Sequence, residues 1–384
     1  SSDVCSSDLA YAQFGKNKVQ YEKFDWKYIE SEHFNVFYNK GSKKLAEFAA
    51  VEAEKALVSI QRTLNYRLSM KIVLAVYDSH NQFQQTNLIS SFMPEGVGGV
   101  TELFKNRVVV PFQGDYAQLR HVIHHELVHA VMNDMFYGGN IQSVLSGSAA
   151  NLPLWMAEGM AEYESQGGMD VDNDVYMRDM VISKQLPPIQ ELDGYNAYRG
   201  GQTLFWYISD KYGPEKVTEL IKTYKMMKNL DQTFSQVFRM KLRDFSEQWQ
   251  ADIEKIYFPD VKTFDSPRDF SQKITDRRDI GNFTNSSPAV SPDGNKIAFI
   301  SDRDGLYAIY VMDLDKKDKV EKIVSSYHAQ DFEDLNILTP GITWDPTGKK
   351  IAISAKAGGQ DAIFVWDTKE EDYDKLTFGL KSIS

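Results

Sequence analysis

His121-Val-Ile-His124-His125-Glu126-Leu-Val-His129 holds four of the seven histidines of the 384-residue chain, and its spacing decides how the rest is read. Residues four apart on a helix are neighbours, with Cβ atoms about 5–6 Å apart, so His125 and His129 present two imidazoles to one cation. Glu126, three residues before His129, reaches a molecule bound to that cation without ligating the cation itself. The flanks read as helix: Asp115 stands as N-cap ahead of Tyr116-Ala-Gln-Leu-Arg120, and Gly138-Gly139 stops it. Leu119, Val122, Ile123, Leu127, Val128, Ala130, Val131 and Met132 make it apolar on most faces, which predicts a buried helix.

Catalytic zinc takes three protein ligands and keeps a fourth position open, which sends the search downstream for a carboxylate on a second buried helix. Leu152-Pro-Leu-Trp155-Met-Ala-Glu158-Gly159-Met-Ala-Glu162-Tyr163 offers it. Pro153 suits a first helical turn. Glu162 is one turn beyond Glu158 on the same face, where a carboxylate can hold the free nitrogen of a ligand histidine.

H-E-L-V-H followed by W-M-A-E-G-M-A-E-Y resembles the gluzincin metallopeptidases, the group that contains thermolysin and the zinc aminopeptidases. The resemblance spans about residues 30–258. It implies zinc held by His125, His129 and Glu158, Glu126 as general base, and an edge strand of the upstream sheet that pairs with an extended substrate. Tyr198-Arg199-Gly200-Gly201 resembles the aminopeptidase segment whose tyrosine contacts the oxyanion, with Tyr195 as the alternative register. Outside the metal helix only His33, His80 and His328 remain, which leaves a lower-lobe tyrosine as the natural donor. No G-x-M-E-N-like segment precedes the histidines to grip a substrate amino terminus. Glu95 and Glu102 are candidates without a motif, so the expectation is an endopeptidase.

A net charge of −11 argues against nucleic acid, whose phosphates are bound by lysine and arginine clusters. No run of about 18 apolar residues is present to span a membrane. Cys5 is the only cysteine, so no intrachain disulfide forms. It lies in Ser1–Leu9, a stretch that repeats S-S-D and reads as foreign, and Ala10-Tyr11-Ala12 has the small-x-small form of a signal-peptidase site. Residues 1–12 are therefore expected to be an artefact plus a signal remnant. The expected location is the bacterial cell envelope, periplasmic or secreted.

The fold expected over residues 13–258 is α+β and zincin-like, a mixed sheet with a helical lower lobe. Strands are predicted at His33–Tyr38, Lys71–Tyr77, Gly96–Leu103 and Arg107–Phe112, with Pro111 pushing the last toward an edge or strand end. A helix is predicted from Lys43 to Tyr66, and others at Gln202–Tyr212, Glu215–Lys228, Thr233–Met240 and Leu242–Tyr257. Tyr137–Asn151 reads as a loop over the site, and residues 259–286 as a linker.

Beyond it the chain repeats. Ser291-Pro-Asp-Gly-Asn-Lys-Ile-Ala-Phe-Ile300 matches Asp345-Pro-Thr-Gly-Lys-Lys-Ile-Ala-Ile-Ser354, and each leads to a second strand, Ala308–Asp313 and Ala362–Asp367. The unit resembles the repeat of TolB-type β-propellers. Residues 287–384 would make about two blades of an incomplete propeller, with Lys375–Gly379 opening a third, so the chain reads as cut short. The expected whole is a zinc endopeptidase acting on peptides or proteins, with blades that bind a protein partner. The alternative is an inactive scaffold built on the same two parts.

Overall fold

Residues 21–68, 70–87, 93, 95–102, 107–138, 152–265, 267–276, 284–316, 319–325, 332, 334–338 and 341–377 are described in this computed structural model. They fall into two compact units: residues 24–78 with 98–266, and residues 79–97 with 267–384 and the described chain up to Lys23. The suspect N-terminal stretch with Cys5, residues 139–151 of the expected loop, and His328 lie outside the described residues.

The first unit is built on a five-stranded mixed sheet of β1 (Trp26–Glu30), β2 (Phe34–Asn39), β3 (Ile72–Tyr77), β4 (Val100–Thr101) and β5 (Arg107–Pro111). In the order β1-β2-β3-β5-β4, the inner three strands are parallel, and β1 and β4 run antiparallel at the edges. Alternate residues Phe34 and Val36, Ile72, Leu74 and Val76, and Val108 and Val110 are buried in one core. Leu45, Ala49, Ala53, Leu57 and Ile60 of helix α1 (Lys43–Thr63) share it with Ile123, Leu127 and Val131 of α3 (Tyr116–Tyr137). Small alanines on α1 leave room for the bulkier face of α3. Asp115 caps α3 by accepting from the Ala117 amide at 2.7 Å, and Gly138 ends it in the left-handed region at φ 58°. Below lie α4 (Leu154–Gln166), α5 (Val171–Ile182), α6 (Tyr195–Tyr212), α7 (Glu215–Met227), α8 (Leu230–Phe238) and α9 (Leu242–Thr263) around buried Phe205, Phe234, Phe245 and Trp249.

Several elements depart from expectation. β1 was not foreseen, because Trp26–Glu30 is mostly exposed at an edge and lacks alternation. The glycine-rich strand shrinks to two residues, and Pro111 ends an interior strand, where its missing N–H costs nothing further along. α6 starts at Tyr195 instead of Gln202, which puts Tyr198 in its first turn. α9 passes through Pro259, so the linker does not begin there. The extra turns are tied to α5 by Tyr257 Oη donating to Asp174 at 2.9 Å and by the Arg178–Asp260 pair at 3.3 Å.

Among the described residues the second unit carries two antiparallel sheets and no closed barrel. One is β6 (Asn285–Val290), β7 (Lys296–Ser301), β8 (Ala308–Asp313) and β9 (Val320–Ser325). The other is β10 (Asp334–Leu335), β11 (Ile342–Trp344), β12 (Lys350–Ala357), β13 (Gln360–Asp367) and β14 (Asp372–Leu376). The sequence repeat is a repeat of register: Lys296 pairs with Asp313 in one hairpin and Lys350 with Asp367 in the other. Lys375 and Leu376 lie in β14, paired with β13, so they close the second sheet and do not open a third.

Residues 79–97 belong to this unit, against their expected place within 13–258. The short helix α2 (His80–Phe83) buries Phe83, and buried Asn81 donates to Asp361 at 3.0 Å. Lys356 Nζ donates to Gln84 at 2.6 Å, and the Leu338 amide to Glu95 at 3.0 Å.

Candidate metal centre

Helix α3 presents His121, His125 and His129 at successive turns, and α4 faces them with Glu158 and Glu162. His125 Nε2 and His129 Nε2 are 3.2 Å apart, and Glu158 Oε2 lies 3.3 Å from the first and 3.1 Å from the second. Metal–nitrogen bonds of about 2.0–2.1 Å in a tetrahedron set neighbouring donors about 3.3–3.4 Å apart. The triangle matches that spacing, so two imidazoles and a carboxylate fit one zinc-like cation.

The surroundings favour positive charge at this point. Burial alone would lower the His125 pKa, but hydrogen bonds to Glu158 and Glu162 push it up to about 10. Burial resists ionisation of Glu158, yet His125 and His129 hold it well below the usual carboxylate range. Glu162 is lowered in the same way, against its burial, mainly by His125. Charged carboxylates packed this tightly need cationic partners, and a divalent ion satisfies both at once.

Glu162 stands behind His125, its Oε1 3.1 Å from Nδ1, which leaves Nε2 for the cation. The same oxygen lies 3.8 Å from His121 Nε2. On its far side Glu162 faces Arg199, whose Nη1 is 3.8 Å from both Glu162 and Asp170, and Gln202 donates to Asp170 at 2.7 Å. His121, Arg199 and Asp170 had not been singled out. The signal for His121 was present, since it stands four residues before His125.

Tyr198 and Tyr195 part company on the first turn of α6. The ring of Tyr198 lies parallel to that of His125, at 8° and 6.2 Å between centroids, and its hydroxyl feels the negative charge of the Glu158 carboxylate. Burial and that carboxylate raise its pKa, so it stays a neutral donor. Tyr195 is 56% exposed and accepts from Arg199 Nε at 2.8 Å.

Glu126 is buried beneath the edge strand. Thr101 Oγ1 of β4 lies 2.6 Å from Glu126 Oε2 and 2.9 Å from the Glu126 carbonyl oxygen. Gly99 leaves the carboxylate its room, because a Cβ there would fall 2.8 Å from Glu126 Oε1. Neither Gly99 nor Thr101 had been singled out as a site residue. Of the two candidate amine-gripping glutamates, Glu102 is paired to Arg107 at 2.5 and 2.9 Å, and Glu95 belongs to the strand unit, where it accepts from the Leu338 amide.

His125, His129, Glu158, Glu162, Glu126 and Tyr198 therefore converge, and Tyr195, Glu95 and Glu102 do not join them. No curated protein matches the chain. Among solved structures, TolB from Acinetobacter baumannii is 30% identical over 24% of this chain and 21% of its own, with a TM-score of 0.21. A putative TolB from Agrobacterium tumefaciens is 22% identical over 25% of this chain and 31% of its own, also at 0.21. An acylaminoacyl peptidase is 18% identical over 24% and 18%, at 0.18. The chain thus spans less than a third of the length of each of these structures. The Peptidase MA superfamily matches residues 52–255, a stretch that holds both metal-facing helices and Tyr198, and on that match the chain belongs to the Peptidase MA superfamily.

Proposed function

We propose that this chain is a zinc-dependent endopeptidase, with His125, His129 and Glu158 holding the ion. The observation that carries the reading is the donor triangle of 3.1–3.3 Å with Glu126 on the same helix. When bound, the ion would supply Lewis acidity, polarising the scissile carbonyl and acidifying a water molecule. Glu126 would take the water's proton and return it to the leaving nitrogen. Tyr198, neutral and a donor, would meet the negative charge that develops on the carbonyl oxygen. Glu162 would fix the His125 ring, itself steadied by Arg199. The free edge of β4 would align an extended peptide by strand addition. Endopeptidase action is favoured because Glu102, the residue after β4, is occupied by Arg107 and so does not hold a substrate amino terminus.

The paired antiparallel sheets would act as propeller blades that bind a protein partner. The Ala10-Tyr11-Ala12 step favours an envelope location, and among the described residues no helix is long and apolar enough to cross a membrane. The test is metal analysis joined to a peptide-library digest, wild type beside Glu126→Gln. One zinc per chain and internal cleavages lost in the variant are expected. A zinc-loaded wild type that cleaves nothing would point to a scaffold instead.

A further inference from the structure

The Thr101 hydroxyl faces two acceptors that belong to one residue: Glu126 Oε2 at 2.6 Å and the Glu126 carbonyl oxygen at 2.9 Å. A hydroxyl carries one hydrogen and two lone pairs, so it cannot satisfy both fully at once. The shorter of the two contacts is the one to the side chain, so the hydroxyl holds Oε2 first. The second acceptor, the carbonyl at 2.9 Å, ties the same hydroxyl to the backbone of the residue whose side chain it holds.

We propose that Thr101 is a positioning residue whose hydroxyl, set between the Glu126 carboxylate and the Glu126 carbonyl oxygen, holds the Glu126 side chain in one orientation. The proposal rests on the general-base reading of Glu126. The proton balance leaves Thr101 unchanged: one proton passes from water to Glu126 and then to the departing nitrogen, and the threonine hydrogen never leaves its oxygen. Buried at 6% exposure, Glu126 has little water to replace a lost partner, and an unsatisfied carboxyl oxygen would swing toward the ion or the wall. The wall is Gly99, where an added Cβ would fall 2.8 Å from Oε1. Thr101 is thus a positioning residue. Its β-strand backbone places the hydroxyl, and Glu126 performs the transfer.

The experiment compares zinc-loaded full-length wild type, Thr101→Val and Thr101→Ser on a peptide that the wild type cleaves, measuring kcat, KM and zinc per chain. Valine keeps the shape and removes the hydroxyl, so kcat should fall about 10- to 100-fold, the range expected for loss of a hydrogen bond to a charged group. KM and zinc content should stay within about twofold, and serine should restore kcat to within about threefold. If the valine variant loses zinc, Thr101→Ala carries the same comparison. A kcat within threefold of wild type for the hydroxyl-free variant overturns the proposal, as does an equal loss in the serine variant, which would assign the effect to packing of the methyl group. A zinc-loaded wild type that cleaves no peptide overturns the general-base reading itself, a result distinct from either.

Discussion

Gly159 of α4 and Gly201 of α6 meet backbone to backbone: a Cβ on Gly159 would lie 2.4 Å from the Gly201 carbonyl carbon, and one on Gly201 would lie 2.5 Å from the Trp155 carbonyl oxygen. This crossing sets the distance between the helix that carries Glu158 and the helix that carries Tyr198. Gly201→Ala is expected to cost about 1–3 kcal/mol of stability, the usual cost of overpacking a tight interior. Activity should fall further than stability alone explains, since Tyr198 rides on the displaced helix. Thermal melts and kcat of the variant check this, and an alanine variant as stable and active as wild type would show that the helices can part freely.

Removal of one ligand should release the ion. His129→Ala is expected to purify with well under one zinc per chain and to be inactive, because two donors rarely hold a structural or catalytic site. Chelation of the wild type should abolish cleavage, and added zinc should restore it. Unchanged zinc in His129→Ala would place the ion elsewhere.

Glu126→Gln should separate metal binding from chemistry. The amide keeps the shape but cannot take a proton from water, so zinc content and melting behaviour should resemble wild type while kcat falls by about 10²–10⁴-fold. Full retained activity would assign the base to another group.

The two tyrosines of α6 give an internal control. Tyr198→Phe should lower kcat by about 10²–10³-fold, as for other oxyanion donors, with little change in KM. Tyr195→Phe removes only a contact to Arg199 at a half-exposed position and should leave kcat within about threefold. Equal effects of the two substitutions would refute the assignment.

Residues 267–384 alone should fail to give a cooperative thermal transition. The fragment lacks α2, so Asp361 loses Asn81, Lys356 loses Gln84, and the apolar surface that covers Phe83 is exposed. A sharp melt from that fragment would show that residues 79–97 are dispensable to it.

What could be read from the residues, and what could not, follows the range of the forces involved. That His125 and His129 face one point was legible because helical periodicity is local, whereas Glu158 comes from a second helical pattern and meets them only through the packing of α4 against α3. The two hairpins were legible for the same reason, as turn chemistry and alternation are local. Thr101 was hidden because its partner Glu126 lies 25 residues away on a different kind of element, and a threonine in a strand is ordinary. The choice between Tyr195 and Tyr198 stayed open in the sequence because residues three apart on a helix lie on nearly the same side of it, whereas their surroundings differ, His125 beside Tyr198 and Arg199 beside Tyr195. Pro259 read as a boundary because its ring removes a helical hydrogen bond, and the contacts of Asp260 and Tyr257 that outweigh that loss come from α5.

The nesting of residues 79–97 in the strand unit bears on how the protein is made. Asn81 and Asp361 are 280 residues apart in the chain, so a polypeptide emerging from its N-terminus has synthesised the whole metal-binding region before α2 meets any of its strand partners. Contacts of such separation form late and slowly, because the entropy of closing the intervening chain is spent before they contribute. The helices that carry His125, Glu158 and Tyr198 all lie within residues 116–212, much closer in the chain, and are free to assemble first. Hydrogen-exchange labelling during refolding should accordingly show the amides of Asn81–Thr86 gaining protection after those of Ile123–His129, which makes completion of the strand unit the last event in the maturation of the chain.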